Sequence, residues 1–211
     1  INNKNISVEG IYDIDQTDII NCNKLGYKIK LLGVSELENN KVTQRVHPCL
    51  IKKTSYIANI NGVLNAVIIE GSPVGRTVIQ GEGAGPKATT SALVSDISSI
   101  LRGNIKFPFA LSNKERKHNK FNNILNKSFS SYLRLDVKDK NGVLSNITSI
   151  MAKNNVSIKR LIQNPIKSKK YSSIIIITHS SKDLFIKKAI KQLCLKNYLL
   201  KKPKLIRIEN I

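Results

Sequence analysis

Apolar and polar positions along the chain alternate at a two-residue period in some stretches and recur at a helical period in others, and the switches between the two mark the elements. Residues 8–14 alternate weakly and run into Asp15-Gln16-Thr17-Asp18, a strand entering an acidic helix start. Ile19, Ile20, Cys22 and Leu25 then share one helical face over 18–25, and Gly26 stands where a helix stops. Residues 27–34 predict a strand with Ile29, Leu31 and Gly33 on one face, and 41–47 predict a second. His47-Pro48 is expected to end that second strand, because proline brings no N–H to a ladder. Two apolar strands follow at 62–70 and 74–80, joined by the turn Gly71-Ser72-Pro73. A helix over 89–101 carries Ala92, Leu93, Ile97 and Ile100 at helical spacing.

The periodicity then lapses. Residues 104–128 hold Pro108, several Asn and Lys, and the charge run Lys114-Glu115-Arg116-Lys117, the composition of a linker with a solvated surface. Regular patterning resumes with a strand at 131–137, the turn Lys138-Asp139-Lys140-Asn141-Gly142 and a helix at 143–154. Strands at 156–162 and 172–178, a helix at 182–195 and a strand at 204–208 complete the chain. That order, βαββαβ, predicts a ferredoxin-like arrangement with both helices on one face of an antiparallel sheet. The expected fold class is α/β (α+β): a mixed-sheet first domain over 1–105, a linker over 106–129 and a ferredoxin-like domain over 130–211.

Composition narrows the function classes. With 211 residues there is material for two small cores. The net charge of +21 sits in the second half: residues 1–103 contribute +2 and residues 104–211 contribute +19. Its lysines are scattered through helix and loop, with no helix-turn-helix signal and no aromatic-bearing RNA-binding strand, so no nucleic-acid partner is expected. A nucleic-acid binder remains the third reading, one that would lose affinity steeply with salt.

No run of 18 apolar residues and no basic-then-apolar start appears, so neither a membrane partner nor a targeting signal is expected. Cys22, Cys49 and Cys194 are odd in number and far apart, which argues against disulfides and a zinc site; no metal is expected, and a reducing, cytoplasmic setting fits. The first residue is isoleucine, and a fragment of a longer protein is expected.

The chemistry-bearing stretch is Gly81-Glu82-Gly83-Ala84-Gly85-Pro86-Lys87-Ala88-Thr89-Thr90. Gly81, Gly83 and Gly85 follow a β-branched strand and precede a helix, so bare backbone and a positive helix end meet there, a setting that favours an anion such as phosphate. The spacing is neither Gly-x-Gly-x-x-Gly nor a Walker loop, and by itself it reads first as a structural turn and second as a ligand contact. Arg45 and His47 have no neighbouring carboxylate or nucleophile in the sequence to complete a catalytic constellation, and His47 is expected to pack or cap.

Two resemblances add to this reading. The turn Asp139 to Leu144, the strand Val156-Ser157-Ile158-Lys159 and the strand ending Ile177-Thr178-His179 make the second half similar to an ACT domain, a module that binds amino-acid effectors. The resemblance implies an effector at Asp139, Asn141 and Gly142. Glu9-Gly10-Ile11, the stretch Leu25 to Gly33, Arg45-Val46-His47-Pro48, the stretch Gly62 to Val67 and the glycine stretch make the first half resemble the later part of the homoserine dehydrogenase catalytic domain.

That resemblance implies NADH- or NADPH-dependent interconversion of aspartate 4-semialdehyde and L-homoserine, on the route to threonine and methionine. It places Gly85 at the cofactor, with Gly81 and Gly83 shaping the loop. Pro86-Lys87-Ala88-Thr89-Thr90 departs from the family's usual run there. No catalytic residue is assigned, because the segments matching the family's Rossmann domain and catalytic lysine are not among these residues. A threonine effector, a homo-oligomer and feedback regulation are further expectations. The alternative is a stand-alone amino-acid-binding regulatory protein.

Overall fold

The computed structural model describes residues 5–104, 112, 114, 115, 119–165 and 171–211. In chain order the elements are β1 (Ser7–Val8), α1 (Gln16–Lys24), β2 (Tyr27–Glu38), β3 (Lys41–Lys52), β4 (Leu64–Gly71), β5 (Gly75–Glu82) and α2 (Pro86–Leu101). They continue as β6 (Lys120–Phe121), β7 (Ser128–Lys138), α3 (Val143–Lys153), β8 (Ile158–Pro165), β9 (Tyr171–Thr178), β10 (Ser181–Lys182), α4 (Asp183–Cys194) and β11 (Lys204–Ile208). The chain packs as two compact units, Ile1–Lys53 joined with Asn119–Ile211, and Thr54–His118. These units cut the chain at other places than the sequence division, because β11 at the far end pairs with β3 near the beginning.

In the first unit, β11, β7, β9 and β8 lie side by side in that order and antiparallel, the ferredoxin-like arrangement the pattern predicts. One face carries Leu133, Leu135 and Val137 of β7 and Ile174 and Ile176 of β9 against Ile147 and Met151 of α3 and Ile186, Ala189 and Leu193 of α4. The opposite face packs Tyr132, Ile175, Ile177, Ile206 and Ile208 with Leu50 of β3 and Cys22 of α1. Alternation of side chains along each strand lets one sheet serve two cores. Asp15 caps α1, its carboxylate accepting from the Asp18 N–H at 2.9 Å.

The β2–β3 hairpin is longer than the pattern indicates, paired from Tyr27↔Lys52 to Glu38↔Lys41. Asn39 and Asn40 take φ of +49° and +58° at its tip, the left-handed pair a two-residue hairpin requires. The expected strand at 8–14 is reduced to Ser7–Val8, and β3 runs through Pro48 instead of ending there.

These two departures share one cause. Strand β1 pairs β3 in parallel up to Val8↔Val46, and β11 pairs the same edge in parallel from Arg207↔Cys49 onward. The Glu9 N–H donates to the Val46 carbonyl at 2.8 Å and the Glu209 N–H to the Leu50 carbonyl at 3.0 Å. Residues 46, 48 and 50 therefore turn their main-chain groups to that edge, and Pro48 is the one without an N–H. The missing donor falls at the seam where one neighbour leaves and the next arrives, while β3 stays paired with β2 on its other side at Leu31↔Pro48.

The second unit is a hairpin and a helix. Strands β4 and β5 pair from Leu64↔Glu82 to Gly71↔Gly75. No residue of α2 is buried, and Val67, Ile69, Ile79, Leu93 and Ile97 are all exposed. Of the expected linker, Pro108 and Arg116-Lys117 lie outside the described residues; Lys120–Phe121 pairs with β3, and Ile124 is buried.

Candidate functional site

The glycine stretch forms the turn from β5 into α2. Gly81 sits in β5 opposite Asn65, and the Gly83 N–H donates to the Val63 carbonyl at 2.8 Å. A Cβ at Gly83 would lie 1.7 Å from Asn65 Nδ2, so a side chain there must displace the amide. Gly85, at φ +115°, is the N-cap, and Pro86 opens α2 with its fixed φ and its dispensable N–H. Thr89 closes the first turn, its N–H at 3.1 Å and its Oγ1 at 3.0 Å both donating to the Gly85 carbonyl. A Cβ built on Gly81 or Gly85 meets nothing within 4 Å, so these two glycines have open space around them ahead of a helix start, while Gly83 packs against Asn65.

The turn after β7 belongs to the first unit. Asp139 and Asn141 are exposed. Gly142 takes the left-handed conformation at φ +82° as the N-cap of α3, and its carbonyl accepts from the Asn146 N–H at 3.0 Å. Buried Val143 follows at once and anchors the turn to the core. The three residues expected to meet an effector thus sit together on an exposed loop leading into a helix.

The structure also assembles a constellation that the sequence pattern missed. Arg45 and His47 on β3, Arg207 and Glu209 just at the end of β11, and Asp183 at the start of α4 are all buried. Arg45 Nε and Nη2 donate to the two Glu209 carboxylate oxygens at 2.7 and 2.9 Å, and Nη1 donates to Glu36 at 2.7 Å. Arg207 Nε donates to Asp183 at 2.7 Å, and its Nη1 and Nη2 donate to Glu9 at 2.7 and 2.9 Å. Phe129 lies under both guanidinium groups, at 5.3 Å from Arg45 and 5.7 Å from Arg207. His47 does have a carboxylate partner, Glu209 at 2.9 Å, but it lies 162 residues away in the chain.

Burial alone would raise the Glu209 carboxyl, yet hydrogen bonds from His47 and Arg45 and the Arg45 charge outweigh it and hold the group at about 2. Burial opposes ionisation of Glu9 as well, and Arg207 overcomes it and lowers that carboxyl. The available signal was the spacing: Arg45-x-His47 and Arg207-x-Glu209 put polar residues two apart within apolar strands, on one face of the sheet.

A second polar knot fastens α1 to the other face. Fully buried Asp18 accepts from Tyr132 Oη at 3.1 Å and from Arg134 Nε at 2.7 Å, and Arg134 also reaches Asp15 and Asp136. Both knots are ion-paired around arginines that are largely buried, so they hold strands together.

Residues 1–98 match the family model described as homoserine dehydrogenase, and residues 131–194 match the ACT domain model. The chain is 33% identical over 205 residues to the homoserine dehydrogenase of Helicobacter pylori and 36% identical over 210 residues to that of Neisseria gonorrhoeae. In both cases 97% of this chain aligns with 48% of the relative, so the chain spans about half the length of the curated relatives it matches. The crystal structure of a homoserine dehydrogenase from Thiobacillus denitrificans superposes with a TM-score of 0.86 at 31% identity, covering 98% of this chain and 48% of the other. A Staphylococcus aureus homoserine dehydrogenase gives a TM-score of 0.62 at 27% identity, covering 100% of this chain and 49% of that one.

Proposed function

The chain belongs to the homoserine dehydrogenase family, with an ACT domain behind its dehydrogenase region, and from that premise we propose that it forms part of an NAD(P)H-dependent homoserine dehydrogenase interconverting aspartate 4-semialdehyde and L-homoserine. The observation that carries this is the alignment of nearly its whole length, at 33–36% identity, with dehydrogenases of that activity.

In this reading residues 1–105 contribute to the catalytic region, 106–129 connect, and 130–211 regulate. The nicotinamide cofactor supplies the hydride when bound. Gly81 and Gly85 leave the backbone bare and open ahead of α2, with Gly83 shaping the loop against Asn65, which fits close approach of an anionic cofactor group to a helix start. The exposed apolar residues of β4, β5 and α2 are positions for the rest of the enzyme or a second subunit to cover, in keeping with a homo-oligomer. Three unpaired cysteines fit a cytoplasmic setting.

The ACT domain's part is feedback control by threonine at Asp139, Asn141 and Gly142. Such control requires that threonine bind one arrangement of the enzyme more tightly than another.

The test is nicotinamide oxidation by the complete enzyme with aspartate 4-semialdehyde. Turnover dependent on both substrates is expected, and its absence with NADH and NADPH alike overturns the reading. Gly142→Asp in the same enzyme should relieve threonine inhibition while turnover persists. Unchanged inhibition would remove the effector from this turn.

A further inference from the structure

A cleft of about 740 Å³ opens in the first unit at the seam marked by Pro48. Strands β1 and β11 share one edge of β3, and β11 reaches that edge only at Arg207, so its entry, Lys204 and Leu205, stands apart from the exit of β1 at Glu9 and Gly10. The cleft is the wedge between them, of a volume that suits a small-molecule ligand.

Its walls carry unused bonding capacity of both signs. Since the Glu209 N–H points to β3, strand alternation turns the main chain of Leu205 to the same side, and among the described residues nothing pairs with its N–H or its C=O. Arg134, Asp15 and Asp136 are committed to one another, and Glu9 to Arg207. Asp13, Lys201, Lys202 and Lys204 also line the cleft and have no ion-pair partner among the described residues. Ile190 and the buried Pro48 and Pro203 add an apolar wall.

We propose that this wedge is a binding site for a free α-amino acid, distinct from the turn at Asp139 to Gly142. The ligand's carboxylate meets the Leu205 N–H and the lysines at 201, 202 and 204. Its ammonium meets the Leu205 carbonyl and Asp13, and its side chain lies against Ile190 and the two prolines. An unpaired strand edge offers a donor and an acceptor side by side, the arrangement that captures a backbone-like amine and carboxylate. The reading goes beyond the proposed dehydrogenase function and does not depend on it.

The test is calorimetric titration of the complete protein carrying Gly142→Asp, so that the turn is disabled, with L-threonine, L-methionine and L-lysine as probes and with propionate and ethylamine as single-charge controls. At least one amino acid is expected to bind saturably, with affinity lowered tenfold or more by Lys202→Glu and by Asp13→Lys, and neither control should bind. Both substituted side chains are exposed, and thermal melts confirm that the variants fold. No binding by any of the three amino acids, or binding indifferent to both cleft substitutions, overturns the proposal. Equal binding of propionate overturns the zwitterion assignment and leaves an anion site in its place.

Discussion

Arg207 and His47, 160 residues apart in the chain, meet in the buried interior with Arg207 Nη1 3.3 Å from His47 Nδ1. A guanidinium can only donate, so Nδ1 accepts, and Nε2 carries the proton that goes to Glu209 at 2.9 Å. The ring is thereby held between an arginine at Nδ1 and a carboxylate at Nε2. Nitrogen-15 shifts of labelled histidine should report that Nε2–H form, and a protonated Nδ1 would contradict the geometry. His47→Ala should cost about 1–3 kcal/mol of stability, the range for a buried hydrogen-bonded group left without its partner, as read by denaturant unfolding.

Acid should loosen the joint between β3 and β11. The folded-state carboxyl of Glu209 is depressed from 4.5 to about 2, and Glu9 and Glu36 are lowered as well. A depressed carboxyl contributes stability that is fully present above its unfolded value and lost as pH falls through the folded one. The melting temperature should therefore fall between about pH 4.5 and 2 in proportion to these groups, and Glu209→Gln should flatten that decline while lowering stability at neutral pH. An unaltered acid profile in the variant would show that Glu209 does not carry the effect.

Asp18 should be among the costliest residues of α1 to replace. It is fully buried and accepts from Tyr132 and Arg134 together. Removing it leaves Arg134 with Asp15 and Asp136 but without its buried partner, and takes an acceptor from Tyr132, so Asp18→Ala should cost about 2–3 kcal/mol, whereas Tyr132→Phe, which keeps the carboxylate–guanidinium pair, should cost about 1 kcal/mol. Equal effects in urea melts would contradict this arrangement.

Gly81, Gly85 and Gly142 differ in a way that alanine substitution can read. All three have open space around a built Cβ, but Gly85 and Gly142 take positive φ, and Gly81 does not. Gly85→Ala and Gly142→Ala should each cost about 1–3 kcal/mol in backbone strain, and Gly81→Ala should stay within about 0.5 kcal/mol. Thermal unfolding of the three variants separates conformational demand from crowding.

Much of the fold was determined by local pattern. Apolar positions at 133, 135 and 137, the continuous apolar run at 174–177, and helical spacing over 143–154 and 182–195 placed the ferredoxin-like order correctly, because a helix shows its buried face by its period and a strand buried on both faces reads as an unbroken apolar run. The glycines at 83, 85 and 142 marked both turns, because a positive φ or a crowded Cβ position favours that residue type wherever the chain goes next. Pro48 showed the limit of such reasoning. Its missing N–H was legible, but a strand has two edges, and only the pairing with β2 on one and the handover from β1 to β11 on the other decided that β3 continues. The partners of Arg45, His47 and Arg207 were equally out of reach. Glu209 is brought to Arg45 and His47 by the parallel pairing of β11 with β3, and Asp183 to Arg207 by the placing of α4 against the sheet, and such long-range contacts leave no local period in a sequence to be read.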